Sequence, residues 1–202
     1  MCHNYNMAEK DKSKQEELSG YLTGQLLLAM PHLQDPRYEK AVIFICGHDT
    51  NGAMGLVINK HLGDLTLKGL LEYLNLPQET IKRDLPIFFG GPIDSGRGFV
   101  LHSDDFTHPG TVSLGNHISL TATVDILKSI AEGDGPKECL LAMGYVGWAP
   151  GQLDSELHSN RWLQMEADEE LLFEIPVEKR WGKAMSKLGV TPESLSEDSG
   201  QA

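Results

Sequence analysis

Cysteine is scarce in this 202-residue chain: Cys2, Cys46 and Cys139 are too few and too scattered for a disulfide framework, which suits a reducing compartment. Long apolar runs are missing too. The longest, Ala41 to Cys46, falls far short of the roughly 20 residues that a membrane-spanning helix needs. Residues 1–20 intersperse Lys10, Lys12 and Lys14 with Glu9, Asp11, Glu16 and Glu17, so they lack the apolar centre of a signal peptide. The expectation is a cytoplasmic protein without a membrane segment. Positive charge is also in deficit, with 17 Lys and Arg against 29 Asp and Glu and a net charge of −12. Binding to a phosphate backbone draws on clustered Lys and Arg, and the only groupings are Lys82-Arg83, diluted by Asp84, and Lys179-Arg180, preceded by Glu178. No helix-turn-helix with a basic recognition helix appears, so direct nucleic-acid binding is disfavoured.

What is present is an ordinary globular composition, 40% hydrophobic and 23% charged, long enough for one domain with its own core. We read residues 1–20 as a polar extension, 21–190 as a single domain and 191–202 as an acidic tail. Gln25 to Met30 and Ala41 to Cys46 are buried strands, and Asp49-Thr50-Asn51-Gly52 turns the second into a return strand from Ala53 to Asn59. Leu67, Leu70, Leu71 and Leu74 form the stripe of an amphipathic helix that Pro77 follows. Strands are expected at Ile87 to Phe89, Gly98 to His102, Thr111 to Leu120 with a turn at Gly115-Asn116, Cys139 to Val146, Trp162 to Met165 and Leu171 to Phe173. Helices are expected from Val124 to Glu132, capped by Thr123 and ended at Gly133, from about Gly151 to Ser159, and from about Lys179 to Leu188. Strands and about four helices that do not alternate regularly describe an α+β domain with a largely antiparallel sheet.

Four groups of residues invite chemistry. Gly90-Gly91-Pro92-Ile93-Asp94-Ser95-Gly96-Arg97-Gly98 carries four glycines in nine residues. It reads either as main-chain N–H groups cradling an anion or a partner's backbone, with Arg97 as the charge partner, or as a tight turn with a bulge. His102, Ser103, Asp104, Asp105 and His108 collect imidazoles and carboxylates without the offsets of a structural zinc site, so no metal is assigned. Cys46 and His48, two apart on a strand, form either a thiolate–imidazole pair or a buried cysteine beside an unrelated histidine. In Gly144 to Leu153, with Glu156, Asn160 and Trp162 beyond, a helix starting near Gly151 aligns Gln152, Glu156 and Asn160 on one face beside Trp148 and Trp162. That stripe either orients a ligand against aromatic walls or satisfies buried backbone groups. No Gly-x-Ser-x-Gly elbow occurs, and no motif calls for a cofactor.

Leu28-Ala29-Met30-Pro31, Asn51 through Asn59, Gly90-Gly91-Pro92, Arg97 through His102, Asp125-Ile126-Leu127 and Gly144 through Glu156, in that order, resemble the bacterial YqgE/AlgH family from about Gly24 to Val190. The resemblance implies a cytosolic α+β fold whose sheet curls into a partial barrel. It brings a loose label of transcriptional regulator, with no established reaction, cofactor or ligand. Gly47 stands where members commonly have Glu, and Ala122-Thr123-Val124 replaces a usual Thr-Ser-Arg, so two charges are missing here.

These observations favour a non-catalytic regulatory protein that binds a small molecule or a protein partner. The candidate surface comprises Asn59, Gly90, Gly91, Pro92, Arg97, His102, Trp148, Gly151, Gln152, Glu156 and Trp162. The alternative is an enzyme on a small anionic substrate, with Arg97 as clamp and His102 as acid or base. Oligomeric state is not legible in the sequence.

Overall fold

The computed structural model describes residues 21–76 and 81–190, and the extension 1–20, the tail 191–202 and Pro77 lie outside them. The chain runs β1 (Gln25–Ala29), a 3-10 turn (Pro36–Tyr38), β2 (Val42–Asp49), β3 (Gly52–Val57), β4 (His61–Thr66) and α1 (Leu67–Tyr73). It continues through β5 (Pro86–Phe89), β6 (Ile93–Ser103), β7 (Val112–Gly115), β8 (Ile118–Thr121), α2 (Asp125–Glu132) and β9 (Cys139–Trp148). Last come α3 (Gln152–His158), β10 (Trp162–Glu166), a π-helical turn (Glu170–Glu174) and α4 (Val177–Lys187).

The strands form one curled sheet in the order β10-β1-β2-β3-β9-β6-β8-β7, with β5 joining β9 and β4 pairing β5. Every pairing is antiparallel except β5 with β9. The fold is therefore α+β with a largely antiparallel sheet closed into a half-barrel, and four α-helices lie among the described residues. No helix there is long and apolar enough to cross a membrane.

Among the described residues three apolar clusters cover the sheet. On one face Leu26, Phe44, Leu56, Phe99, Leu101 and Leu140 pack against Trp181, Ala184 and Met185 of α4. The Trp181 indole donates to the Ala29 carbonyl at 2.9 Å, which fixes α4 to β1. Beside it Arg180 is buried, donating to the carbonyls of Ile175 and Ile58 and lying over the Phe88 ring. Burial pushes its pKa down to about 10, so it stays cationic at neutral pH. On the opposite face α3 covers Leu27, Ile43, Ile45, Val57, Trp148 and Trp162 through Leu153. Farther along the sheet, α1 and α2 cover Ile87, Val100 and Leu141 through Leu67, Leu70, Leu71, Ile126, Leu127 and Ile130.

β9 is the strand on which the two halves meet. Its first half pairs β5 and β6, and its second half pairs β3. Gly144 sits at the change-over with φ +71°, and a Cβ there would lie 2.3 Å from the Gly91 carbonyl oxygen. A Cβ at Gly90 would reach the Gly144 oxygen at 2.2 Å, and one at Gly91 the Tyr145 carbonyl carbon at 2.1 Å. The Gly90 N–H donates to Met143 O and its carbonyl accepts from Val57 N, both at 2.8 Å. The glycines therefore serve a backbone-to-backbone crossing, and Asp94 to Arg97 form the bulge that a shift in register between Ile93 and Gly98 requires.

Some elements differ from the sequence reading. Leu171 to Phe173 is not a strand: the Asp168 carboxylate caps the Leu171 N–H at 2.8 Å, and Lys187 ties Asp168 and Glu170 at 2.7 Å each, so this stretch winds into the π-helical turn. Thr123 does not cap α2; Val124 occupies the cap position without a side-chain bond, while the Thr123 hydroxyl faces His108 Nδ1 at 3.5 Å. β4 was not anticipated.

Gly144→Ala combines a left-handed φ with a backbone clash and is expected to cost about 3 kcal/mol or more. Gly47→Ala, with nothing within 4 Å of the new Cβ, is expected to change stability by no more than about 0.5 kcal/mol. Urea unfolding of both variants followed by circular dichroism checks the contrast.

Candidate functional site

α3 begins where Gly151, at φ +71°, turns the chain out of β9, and it ends before Asn160, at φ +53°. Leu153 points into the core, which directs Gln152 and Glu156 one turn apart along the outer side. Asn160 lies past the helix end and so does not extend that face.

Glu156 is the centre of the arrangement. Its Oε2 accepts the Trp162 indole N–H at 2.8 Å and the Trp148 indole N–H at 3.0 Å, while Oε1 accepts the Gln152 amide at 3.0 Å. The Gln152 side-chain oxygen accepts the Ala149 N–H at 3.0 Å and so closes the β9–α3 turn. The indoles meet edge to face at 6.1 Å, and Tyr38 packs on Trp162 at 5.9 Å. Burial opposes ionisation of Glu156, yet the Trp162, Gln152 and Trp148 donors and the nearby Arg161 outweigh it and hold its carboxyl below the usual carboxylate range. A carboxylate so stabilised is a poor proton acceptor; its role is to hold the two indoles in place.

Above this cluster lies a cleft of about 360 Å³, walled by Trp148, Gln152, Glu156, Trp162, Pro92, Ile93, Val146 and the Leu33–Tyr38 loop. A second hollow of about 560 Å³ adjoins it, sharing Leu33, Asp35 and Arg161. Trp148, Gln152, Glu156, Trp162 and Pro92 thus share one concavity. Gly90 and Gly91 set the turn that presents Pro92, and Gly151 sets the start of α3.

The other candidates lie elsewhere. Asn59 pins β2, its Oδ1 accepting from Val42 N and its Nδ2 donating to Lys40 O, both at 2.8 Å. Arg97 stacks over Phe99 at 5.1 Å. The bulge that carries it borders another hollow, of about 990 Å³, between α1 and α2, whose lining includes Val100, Leu141 and Met143. That hollow is mostly aliphatic, and its Thr121 hydroxyl is already engaged. His102 is fully buried. Its Nδ1 faces the Ser103 carbonyl at 2.8 Å and must donate, so in the neutral ring Nε2 accepts from the Thr121 hydroxyl at 2.9 Å, which in turn accepts from Thr111 at 2.7 Å. Burial lowers the His102 pKa against the pull of Ser103 and Asp105, favouring this neutral form. Both ring nitrogens are occupied, and no contact joins His102 to Arg97.

The Cys46–His48 pair does not form. A bulge between Ile45 and Gly47 breaks the alternation. Cys46 packs beneath α4, and burial raises its thiol pKa far above the usual range. His48 instead accepts from Leu22 N at Nδ1, 3.3 Å, with Nε2 3.9 Å from Asp154 of α3. Asp104 pairs with His117 at 2.8 Å and Asp105 accepts from Ser103, so that acidic segment is tied up locally. Among the described residues no three His, Cys, Asp or Glu side chains are grouped to hold a metal ion.

The sequence reading missed the Leu33–Tyr38 wall and Arg161. A signal was present in Asp35-Pro36, where the Asp35 carboxylate caps a short helical turn by accepting from the Arg37 N–H at 3.0 Å.

The AlgH-like family model, DUF179, matches residues 26–193, which take in every candidate residue. The chain belongs to the AlgH-like family. Among its relatives, a UPF0301 protein of Rhodospirillum rubrum is 46% identical over 183 residues, covering 91% of this chain and 95% of that protein. One from Cereibacter sphaeroides is 46% identical over 182 residues, covering 90% and 99%. The solution structure of the AlgH protein from Pseudomonas aeruginosa is 40% identical, with a TM-score of 0.74 and coverage of 90% and 96%. A crystal structure of a protein from Corynebacterium diphtheriae, 18% identical with a TM-score of 0.69, covers 87% and 91% and shares the fold.

In this AlgH-like chain, Glu156→Ala leaves two buried indole N–H groups without their acceptor and is expected to cost about 1–3 kcal/mol, with red-shifted tryptophan emission. Because folding lowers the Glu156 pKa, its contribution is complete above the unfolded value of 4.5 and is lost as pH falls through the folded value. The stability gap between wild type and Glu156→Gln should therefore narrow on acidification below pH 4.5, as urea titrations at stepped pH would show. His102 is expected to keep its proton on Nδ1 and to titrate below 6.5, measured by nitrogen-15 shifts of the ring.

Proposed function

We propose that this chain is a non-catalytic regulatory protein that recognises a small molecule or a protein partner in the cleft above the Trp148–Glu156–Trp162 cluster. The observation that carries this reading is the convergence of β9, α3, β10, the Pro92 turn and the Leu33–Tyr38 loop on one concavity whose central carboxylate is already saturated by internal donors. A fixed wall of this kind supports recognition, because little side-chain freedom is lost when a ligand seats on it. The combined volume of the two adjoining hollows lies in the range of small-molecule sites. The burial of His102 with both ring nitrogens bonded, and the stacking of Arg97 on Phe99, support binding over the enzyme reading built on those two residues. A cytoplasmic location belongs to the same reading.

Ile93 lines the cleft with 41% of its surface exposed, so Ile93→Asp places a charge there with little effect on folding. Full-length wild type and Ile93→Asp would be immobilised in a bacterial lysate, and retained proteins and small molecules identified by mass spectrometry. The cleft reading expects species retained by wild type and lost from the variant. Equal retention by a folded Ile93→Asp would contradict it.

A further inference from the structure

Arg161 opens β10's approach and lines both hollows, with 54% of its side chain exposed. Its backbone is fixed, since its N–H donates to Glu156 O and its carbonyl accepts from Met30 N, both at 3.0 Å. Its guanidinium, by contrast, forms no hydrogen bond with the described residues, and its nearest carboxylate oxygen, Glu156 Oε1, lies 3.9 Å away. Glu156 cannot readily draw it closer, because three N–H donors already occupy its oxygens. The other acid of the cleft is also engaged: Arg37 grips both oxygens of Asp35 at 2.7 to 3.2 Å, and the Arg37 N–H adds a further bond. The cleft therefore has its acids satisfied and one guanidinium fork open. His32 and Gln34 line the adjoining hollow, and neither side chain has a hydrogen-bond partner among the described residues.

We propose, resting on the cleft reading above, that its ligand class is a small organic anion, a carboxylate or phosphate on an apolar body, with Arg161 seating the anionic group. A planar guanidinium matches both groups with two parallel N–H donors. His32 and Gln34 lie where they add donors from the adjoining hollow, and Leu33, Tyr38, Pro92, Ile93 and Val146 offer the apolar body a surface. The chain's charge of −12 opposes the approach of an anion from afar. Beyond a screening length of about 8 Å that opposition fades at physiological ionic strength, and the local fork decides the affinity.

The test titrates the full chain at millimolar concentrations with phenylacetate, phenyl phosphate, inorganic phosphate and neutral 2-phenylethanol. It follows the indole N–H resonances of Trp148 and Trp162, which border the cleft. Saturable shifts with phenylacetate or phenyl phosphate are expected, and the stronger of the two assigns carboxylate or phosphate. Arg161→Gln, whose backbone bonds persist, should weaken that binding by about tenfold or more, with Arg161→Lys between it and wild type. Three outcomes overturn the proposal: no saturable shift with either aromatic anion, equal binding of 2-phenylethanol, or unchanged affinity in folded Arg161→Gln. Those outcomes remove the ligand class alone, whereas undiminished partner retention by Ile93→Asp removes the cleft reading itself.

Discussion

The Glu156 carboxylate accepts the indole N–H groups of Trp148, the last residue of β9, and Trp162, the first of β10, while its own helix bridges the two strands. Three elements consecutive in sequence are thereby locked by one side chain. β9 lies mid-sheet and β10 lies at its end, so the lock reaches across the face that α3 covers. Two charge-assisted bonds to nearly buried indoles also explain why that face holds polar groups without an unsatisfied one among the described buried side chains. The open cleft exists because the Pro92 turn and the Leu33–Tyr38 loop stop short of this locked wall.

The position of Pro92 has a separate cause. Gly90, Gly91 and Gly144 let two backbones cross at distances that exclude any Cβ, and the crossing sets the Pro92–Ile93 edge opposite Trp148. A motif that looks like an anion loop in sequence is here a packing device whose consequence for the site is positional. His102 is similar: its residue type invites acid–base chemistry, and its surroundings make it a buried link among Ser103, Thr121 and Thr111.

Legibility in the sequence followed the range of the forces involved. The β2–β3 hairpin was readable because Asp49 and Gly52 carry their turn chemistry locally, with the Asn51 N–H bonded to the Asp49 carboxylate at 2.7 Å. The stripes of α1, α2 and α4 were readable because apolar spacing reports burial directly. Leu171 to Phe173 misled because a short apolar run fits a strand or a helical turn, and a distant residue, Lys187, helps decide between them. The Cys46–His48 alternation failed at a bulge that two-residue periodicity cannot reveal. Within the site, Gln152, Glu156 and the tryptophans stood out together because one short segment holds them. The Leu33–Tyr38 wall did not, since only the β1–β10 pairing, Ala29 against Trp162, brings it there from so far along the chain, and Arg161, though inside the same segment, did not because an exposed arginine carries no spacing signal of its own.

The most direct measurement is proton exchange and chemical shift at the two indole Nε1–H groups near the cleft in nitrogen-15-labelled protein, across the acidic range. The account predicts that both signals are protected from exchange and move together as one acidic group titrates, and that Glu156→Gln abolishes this shared titration. Independent titration of the two indoles, or behaviour unchanged by that substitution, would contradict the claim that a single carboxylate holds both.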